Sequence, residues 1–454
     1  MGGLHTSGDS FVSSTSASTG NAFNASGRQA EVRAVLDGSN SQSNYTQQIE
    51  EMRRFIAFTI PIFGNGNNSS LDSSFAVSEL DLSFRPRNLP AKSREEQLRH
   101  QKLVEENRKL YLKRMKERER QKELLRQEQE KRELRISQSI PIWEHEILAK
   151  WDEKHLQKRT RQLWMQGIPP VIRGKVWSLV VGNNTCITRE YYNIYVEKAR
   201  IARMKLLSFQ DEADDENVKA IQRDLNILGK ESSIQIIDQD LERTLPNLGL
   251  FKEGSPILEN LREILEAFTF CRPDVGYVQG MSYLAGVLLL YMSPYKTFVC
   301  LVNLISRLDL IPFYRVDELQ LRNRFTIFRN IFYENLPTLC EHFEEEGIEP
   351  KMYVFEWFLT LYSRNFNLNV ASRIWDLYML DGHAILYKTA VAILKLTGED
   401  LITRDFGDII QFFNNIGSLV DDEDLLVKTI NEISLPQWVD IELARLASEY
   451  LAQE

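Results

Sequence analysis

The chain has 454 residues, of which 43% are apolar and 26% are charged, with a formal net charge of −9 at pH 7. This length allows one large domain with appended segments or two to three smaller domains, and the apolar fraction suffices for a sizeable core. A net negative charge argues against nucleic acid as a partner. The charge is unevenly spread, because residues 92–135 carry 16 basic and 10 acidic side chains, which leaves the remainder at about −15. We therefore expect separate segments with separate roles.

The N-terminal residues predict a disordered tail and linker over residues 1–90. Residues 1–50 are rich in Ser, Asn, Gly and Thr and contain no apolar signal-peptide core. Residues 1–6 fit the loose myristoylation pattern M-G-x-x-x-[ST], which also occurs by chance. An apolar patch at 55–63 is either a docking peptide or an edge contact. The sequence alone decides neither whether Gly2 is myristoylated nor which role the apolar patch has.

Residues 91–136 predict a long charged helix. Between Lys92 and Leu134 there is no Gly or Pro, and Glu, Arg, Lys, Gln and Leu dominate. Leu103, Leu110 and Leu124 share a seven-residue register, but Glu and Lys interrupt that register elsewhere. A solvated single helix, a short coiled coil and a basic helix that binds a partner all fit this pattern.

Residues 137–454 predict an all-α body of amphipathic helices separated by Pro and Gly. The predicted helical runs are 257–268, 281–292, 297–308, 321–335, 352–363, 370–380, 384–396, 408–414 and 438–451. The two most apolar runs, 281–292 and 297–305, are shorter than the roughly 18 residues of a membrane helix and predict core helices joined by a tight turn at 293–296. Residues 204–232 interrupt the body with an acidic run at 211–216, which is a solvated loop, a helix start or a contact for a basic patch on a partner.

The cysteines and the catalytic motifs narrow the chemistry. Cys186, Cys271, Cys300 and Cys340 are far apart, with no C-x-x-C and no histidine at ligand spacing. We expect buried free thiols in a reducing cytoplasm, with neither disulfides nor a metal site. The motifs H-E-x-x-H, G-x-S-x-G and G-x-x-x-x-G-K-[ST] are absent, which argues against metalloprotease, serine-hydrolase and P-loop chemistry.

Four ordered motifs carry a family resemblance. The first is W-x-x-G-I-P-P-x-x-R-x-x-x-W at 164–177, which contains Arg173 and Trp177. I-x-x-D-x-x-R-T follows at 237–244, then G-Y-V-Q-G-M at 276–281, and finally W-F at 357–358 with R-I-W-D-x-x-x-L-x-G at 373–382. Together they resemble the TBC-domain GTPase-activating proteins of Rab GTPases, with a domain at about 164–382. Ser282 stands where the family pattern usually has Asn, but Arg243 and Gln279 both match the pattern.

The resemblance implies that Arg243 is an arginine finger and Gln279 a glutamine finger, both offered to the GTP that a Rab holds. Physical chemistry agrees, because a guanidinium stabilises charge on the transferring phosphoryl group and a carboxamide orients water. Asp240, three residues before Arg243, is placed to hold the guanidinium, and Tyr277 is expected to support the glutamine segment by packing. Arg173 and Trp177 are expected to support the structure, Arg173 by bracing a helix or loop and Trp177 by filling the core.

The resemblance further implies an enzyme-like activator with no self-contained active site and no cofactor of its own, since GTP and Mg²⁺ belong to the partner. Its partner would be a GTP-bound Rab, and residues 1–136 would make a peripheral membrane or adaptor contact. The lack of a signal-peptide core and the free thiols predict a cytoplasmic location. The resemblance to TBC proteins with a charged helix just before the domain implies recruitment to endosomal, Golgi or autophagosomal membranes. The alternative is a non-catalytic Rab effector or scaffold in endosomal or autophagic traffic, and a chance resemblance of an unrelated helical adaptor is a third reading.

Overall fold

A computed structural model describes residues 93–209 and 230–452 of the protein. Every regular element in those ranges is helical, which confirms the predicted all-α class. The α-helices are α1 (Arg94–Gln138), α2 (Trp151–Lys154), α3 (Lys158–Gln166), α4 (Pro170–Val181), α5 (Arg189–Phe209), α6 (Lys230–Leu241), α7 (Pro256–Cys271), α8 (Met281–Tyr291), α9 (Pro294–Ile305), α10 (Ile311–Arg315), α11 (Glu318–Asn335), α12 (Pro337–Glu345), α13 (Val354–Leu359), α14 (Leu368–Asp381), α15 (Ala384–Leu401), α16 (Phe406–Asn414), α17 (Glu423–Glu432) and α18 (Gln437–Leu451). A π-helical segment (Ile142–Ile147) and 3₁₀ turns (Leu148–Lys150, Pro246–Leu248, Pro350–Met352, Ile416–Ser418) lie between some of them.

Several predictions fall on residues that the structure does not describe. These are the tail and linker at 1–90, the acylation pattern, the apolar patch at 55–63 and the acidic run at 211–216. The predicted interruption from residue 204 is wrong at its start, because α5 continues as helix to Phe209.

The charged helix α1 begins and ends with identifiable contacts. The Ser93 hydroxyl accepts a hydrogen bond from the backbone N–H of Glu96 at 3.2 Å and caps the first turn. Its length of 45 residues agrees with the helix predicted at 91–136. Near its other end, Arg132 donates to Glu423 of α17 at 3.0 Å, in a largely buried contact. The C-terminal end of α1 is therefore attached to the body by an ion pair.

Most of α1 is solvated along its length. The register leucines Leu103, Leu110 and Leu124 are 57%, 47% and 50% exposed. Arg126 pairs with Glu123 one turn earlier, at 2.8 and 3.0 Å. Solvent screens such exposed pairs and they contribute little to stability, so composition rather than packing maintains this helix.

The core of the body lies around two long helices. In the first half, α7 packs against α5, α6, α8 and α9. In the second half, α15 packs against α11, α13, α14 and α17. Helix α4 contacts α8, α9 and α14, so it joins the two groups. The apolar stripe predicted at 257–268 is the face by which α7 enters the first group, with Leu261, Ile264, Leu265 and Phe268 fully buried.

The helix predictions differ from the structure in several places. The turn predicted at 293–296 is shorter, because Pro294 occupies the first position of α9, where a residue without an N–H fits. The run predicted at 352–363 ends at Leu359, since Leu361 and Tyr362 take positive φ angles of 45° and 65°. The buried side chains of both residues hold that turn in place. Helices α2–α6, α10, α12 and α17 are not among the predicted runs, and several of them, including α12 and α17, are short.

The four cysteines are free thiols, as predicted, but they are not all buried. Cys300 and Cys340 are buried, Cys271 is half-buried and Cys186 is exposed in a turn. Burial raises the pKa of Cys300 to about 12 and that of Cys340 to about 11. Over the ranges 93–209 and 230–452, no helix is both long and apolar enough to cross a membrane.

Candidate functional site

Arg243 lies in the turn that ends helix α6. The backbone N–H of Arg243 bonds the carbonyl of Asp240 at 3.3 Å, and the Thr244 hydroxyl donates to the same carbonyl at 2.7 Å. Leu245 then takes a left-handed conformation with φ 45°, which turns the chain away from the helix axis. The side chain of Arg243 remains 31% exposed. The end of the helix thus presents a cation at the surface of the body.

Gln279 lies in the loop that enters helix α8. Gly276 and Gly280 bracket this segment with φ angles of 65° and 98°, values that favour glycine. A Cβ at Gly280 would lie 3.3 Å from the Thr360 side chain, so the backbone passes close to the turn after α13. Gln279 itself is half-buried, next to the surface that Arg243 reaches.

One buried carboxylate connects the two segments. Asp240 is fully buried, and its Oδ2 accepts hydrogen bonds from the Tyr277 hydroxyl at 2.6 Å and the Gly280 N–H at 2.9 Å. Its Oδ1 accepts from Nε of Arg243 at 2.7 Å, and Nη2 of Arg243 contacts the same oxygen. Asp240 therefore fixes the arginine and the glutamine loop relative to each other.

The side chains of Arg243 and Gln279 touch. With the amide oxygen of Gln279 turned toward the guanidinium, it accepts from Nη1 of Arg243 at 3.3 Å and also contacts Nη2. Residues 36 positions apart in the sequence are thus side by side. A partner that docks here would meet a cation and a carboxamide in one patch.

Tyr277 supports this site from the core. Its ring is buried, and its hydroxyl donates to Asp240. Burial, and then the Asp240 carboxylate, raise the pKa of Tyr277 well above its usual value. The phenol therefore remains a neutral hydrogen-bond donor at physiological pH.

Three residues beside the site were not predicted. The Tyr283 hydroxyl donates to the backbone carbonyl of Arg243 at 2.7 Å. Arg364 lies with its guanidinium carbon 5.9 Å from the centre of the Tyr283 ring, and its Nε lies 2.6 Å from Oε1 of Glu356. Tyr283 lies in the first turn of α8, four residues after Gln279, and this closeness in sequence could have indicated it. The sequence has no comparable signal for Glu356 and Arg364.

Arg173 and Trp177 belong to a different network, around Asp376. Nη2 of Arg173 donates to Oδ2 of Asp376 at 3.1 Å, and Nε1 of Trp177 donates to Oδ1 at 3.0 Å. The backbone N–H of Ile168 also bonds this carboxylate, at 3.3 Å. Trp177 packs edge-on against Tyr291, with ring centres 5.0 Å apart. These two residues brace the body and do not contact the Arg243–Gln279 patch.

The site carries charge and hydrogen-bond donors but no nucleophile with an adjacent base. Among the described residues, no group of His, Cys, Asp and Glu has the arrangement of a metal site. Arg243 can stabilise negative charge on a partner's group, and Gln279 can both donate and accept hydrogen bonds. The arrangement therefore suits electrostatic stabilisation and hydrogen-bonded positioning of a group that reaches this patch.

Comparisons with known proteins identify the domain. The family model described as the Rab-GTPase-TBC domain matches residues 170–402, which include all six predicted site residues. TBC1 domain family member 12 of Rattus norvegicus is 37% identical over 387 residues, which cover 84% of this chain and 54% of that protein. TBC1 domain family member 14 of Homo sapiens is 38% identical over 355 residues, covering 77% and 50%. The chain thus spans about half the length of the curated relatives it matches.

A solved structure supports the fold. The Chlamydomonas flagellar RabGAP TBC domain matches with a TM-score of 0.51 and 20% identity, over 68% of this chain and 95% of that one. At this identity, the likeness concerns the fold alone.

Proposed function

The chain belongs to the Rab-GTPase-TBC domain family, and we propose that it accelerates GTP hydrolysis by a GTP-bound Rab-family small GTPase. The observation that carries this proposal is the contact between Arg243 and Gln279 on the shared Asp240 carboxylate. Both side chains lie at the surface while their support is buried. A partner's nucleotide can therefore meet them together.

In the proposed mechanism, Arg243 and Gln279 have separate tasks. The guanidinium would neutralise charge on the transferring phosphoryl group, and the carboxamide would orient the attacking water. An arginine finger supplied in trans accelerates hydrolysis by roughly 10³–10⁵-fold. GTP and Mg²⁺ would belong to the partner, so the chain would need no cofactor of its own.

Asp240 and Tyr277 would order the site before the partner binds. Because Asp240 holds the arginine turn and the glutamine loop at once, little ordering remains to be done on docking. Part of the entropic cost of assembling the transition state would already be met in the free protein.

The test is single-turnover GTP hydrolysis by a panel of purified Rabs. We expect wild-type protein to stimulate one or a few Rabs, and Arg243→Ala and Gln279→Ala to remove most of that stimulation while Rab binding persists. Arg161→Ala is the matched control, because it removes a bidentate ion pair with Asp381 at 2.6 and 2.8 Å outside this patch. Undiminished stimulation by Arg243→Ala would refute the mechanism.

A second candidate function is a Rab-binding scaffold that membranes or adaptors recruit through residues 1–136. The observation that favours it is the surface of α1. Lys109, Lys113, Lys116 and Arg120 follow the i, i+4, i+7, i+11 spacing of one helical face, and all are exposed. Such a face suits an anionic lipid or protein surface. Recruitment to endosomal, Golgi or autophagosomal membranes, and a role in vesicle traffic there, would follow.

The two functions are separable by deletion. Removing residues 1–131 retains Arg132 and its contact with Glu423, so the body keeps this ion pair. We expect the deletion to change cellular location and to leave the in vitro stimulation unchanged. Rab binding without stimulation across the whole panel would favour the scaffold, whereas a large loss of rate on deletion would contradict the division of labour.

A further inference from the structure

A second ion pair lies directly behind the Arg243–Gln279 patch. Arg364 Nε lies 2.6 Å from Glu356 Oε1, and their side chains are only 17% and 29% exposed. The pair spans the turn that follows α13, in which Leu361 and Tyr362 have positive φ angles. The sequence motifs around Arg243 and Gln279 do not include either charge.

This turn contacts both segments of the candidate site. Arg364 stacks over the ring of Tyr283, and the Tyr283 hydroxyl holds the Arg243 carbonyl at 2.7 Å. On the other side, the methyl group of Thr360 lies 3.3 Å from the position of a Cβ at Gly280. The Thr360 hydroxyl in turn donates to the Glu356 carbonyl at 2.9 Å. A change in the ion pair would therefore reach both the arginine turn and the glutamine loop.

The charges around Arg243 are balanced only while Arg364 is present. Burial raises the pKa of Glu356, and the guanidinium groups of Arg364 and Arg243 both act to lower it. The geometry brings Arg243 near this ion pair, because Arg364 stacks over the ring of Tyr283 and the Tyr283 hydroxyl holds the Arg243 carbonyl. Without Arg364, the Glu356 carboxylate would retain Arg243 as its cationic neighbour and would compete with Asp240 for it.

We infer that Arg364 is a positioning residue: it neutralises Glu356 and thereby leaves the Arg243 guanidinium on Asp240, available to a partner's phosphate. The inference rests on the proposed GTPase-activating function. It assigns Arg364 no contact with the nucleotide. Its role is to prevent capture of the finger by a carboxylate of the same chain.

The test is a charge-removal cycle with three variants, Arg364→Ala, Glu356→Gln and the double variant. Under saturation kinetics with a responsive Rab, we expect Arg364→Ala to lower kcat at least tenfold with KM changed by less than twofold. Adding Glu356→Gln should recover most of the lost kcat, because the competing charge is gone. Arg364→Lys, which keeps the charge, should retain more activity than Arg364→Ala. Thermal unfolding of each variant establishes whether it is folded.

Two kinetic results would overturn the inference. A double variant as slow as Arg364→Ala would show that Arg364 acts through packing alone, and wild-type kcat in Arg364→Ala would show that it has no role.

A second readout, the ¹⁵Nε–¹H signal of Arg243 in the NMR spectrum, does not require turnover. We expect that signal to shift in Arg364→Ala and to return in the double variant.

The two readouts also distinguish failure of the inference from failure of the proposed function. If wild-type protein stimulates no Rab, the proposed function fails, and an unchanged Arg243 signal in Arg364→Ala would separately refute the positioning.

Discussion

Replacement of Asp240 by Asn gives a quantitative test of the carboxylate that joins the two finger segments. The carboxylate uses one oxygen for Tyr277 and Gly280 and the other for Arg243. An Asn side chain offers only one oxygen, so its NH₂ group must face a donor on one side. At least one charge-assisted hydrogen bond is lost, which costs about 1.5–3 kcal/mol. Since about 1.4 kcal/mol is a factor of ten in rate, stimulated kcat should fall roughly 10–100-fold.

The assay is single-turnover hydrolysis at saturating Asp240→Asn protein, alongside Rab binding measured separately. Binding should change little, because Asp240 is buried and the docking surface remains. Tyr277→Phe is the matched control: it removes one donor to the carboxylate but leaves the contact between Asp240 and Arg243 intact. We expect it to reduce kcat by less than Asp240→Asn does. If Asp240→Asn stimulates hydrolysis at the wild-type rate, the argument that this carboxylate orders the fingers is refuted.

Three further predictions concern the body. Arg173→Ala removes one of two guanidinium partners of the buried Asp376 carboxylate and leaves Arg373 at 3.6 Å, so we expect the free energy of unfolding to fall by about 1.5–3 kcal/mol in chemical denaturation; a loss below about 1 kcal/mol would contradict this. Gly280→Ala forces a positive φ of 98° on a residue with a Cβ. This strain should lower the free energy of unfolding by about 1–3 kcal/mol and reduce the stimulation of GTP hydrolysis, whereas wild-type stability and stimulation would show that the loop relaxes. At pH 8, Cys186 should react fastest with a thiol reagent, because it is exposed while burial raises the pKa of Cys300 to about 12; Cys186→Ser should abolish the fast phase, and its persistence would disprove the assignment.

The sequence predicted the parts of the molecule that depend on local pattern. Helical periodicity predicted α7, and the absence of Gly and Pro predicted α1. Each of these two signals comes from residues within a few helical turns of each other. The motif resemblance indicated Arg243 and Gln279, and the three-residue spacing indicated Asp240. The direct contact between Arg243 and Gln279 depends on the tertiary structure, however, and their separation of 36 residues does not predict it.

The missed features depend on distant packing. Arg364 comes next to Tyr283 only because the turn after α13 packs against the start of α8. That turn requires positive φ angles at Leu361 and Tyr362, two residue types that local propensity places in a helix or strand. Burial of their side chains outweighs the local preference, and a single sequence gives no sign of it.

The Asp376 network also has a consequence for how the domain is made. Arg173 and Asp376 are 203 positions apart. At a synthesis rate of about 5–20 residues per second, the arginine leaves the ribosome roughly 10–40 s before its carboxylate partner exists. During that interval, burial of the Arg173 guanidinium without its carboxylate partner would be unfavourable. We therefore expect the helices around Arg173 not to pack together until Asp376 is available. The nascent body would then close late and in one step, after the R-I-W-D segment emerges, and chains that stop before it would be substrates for chaperones.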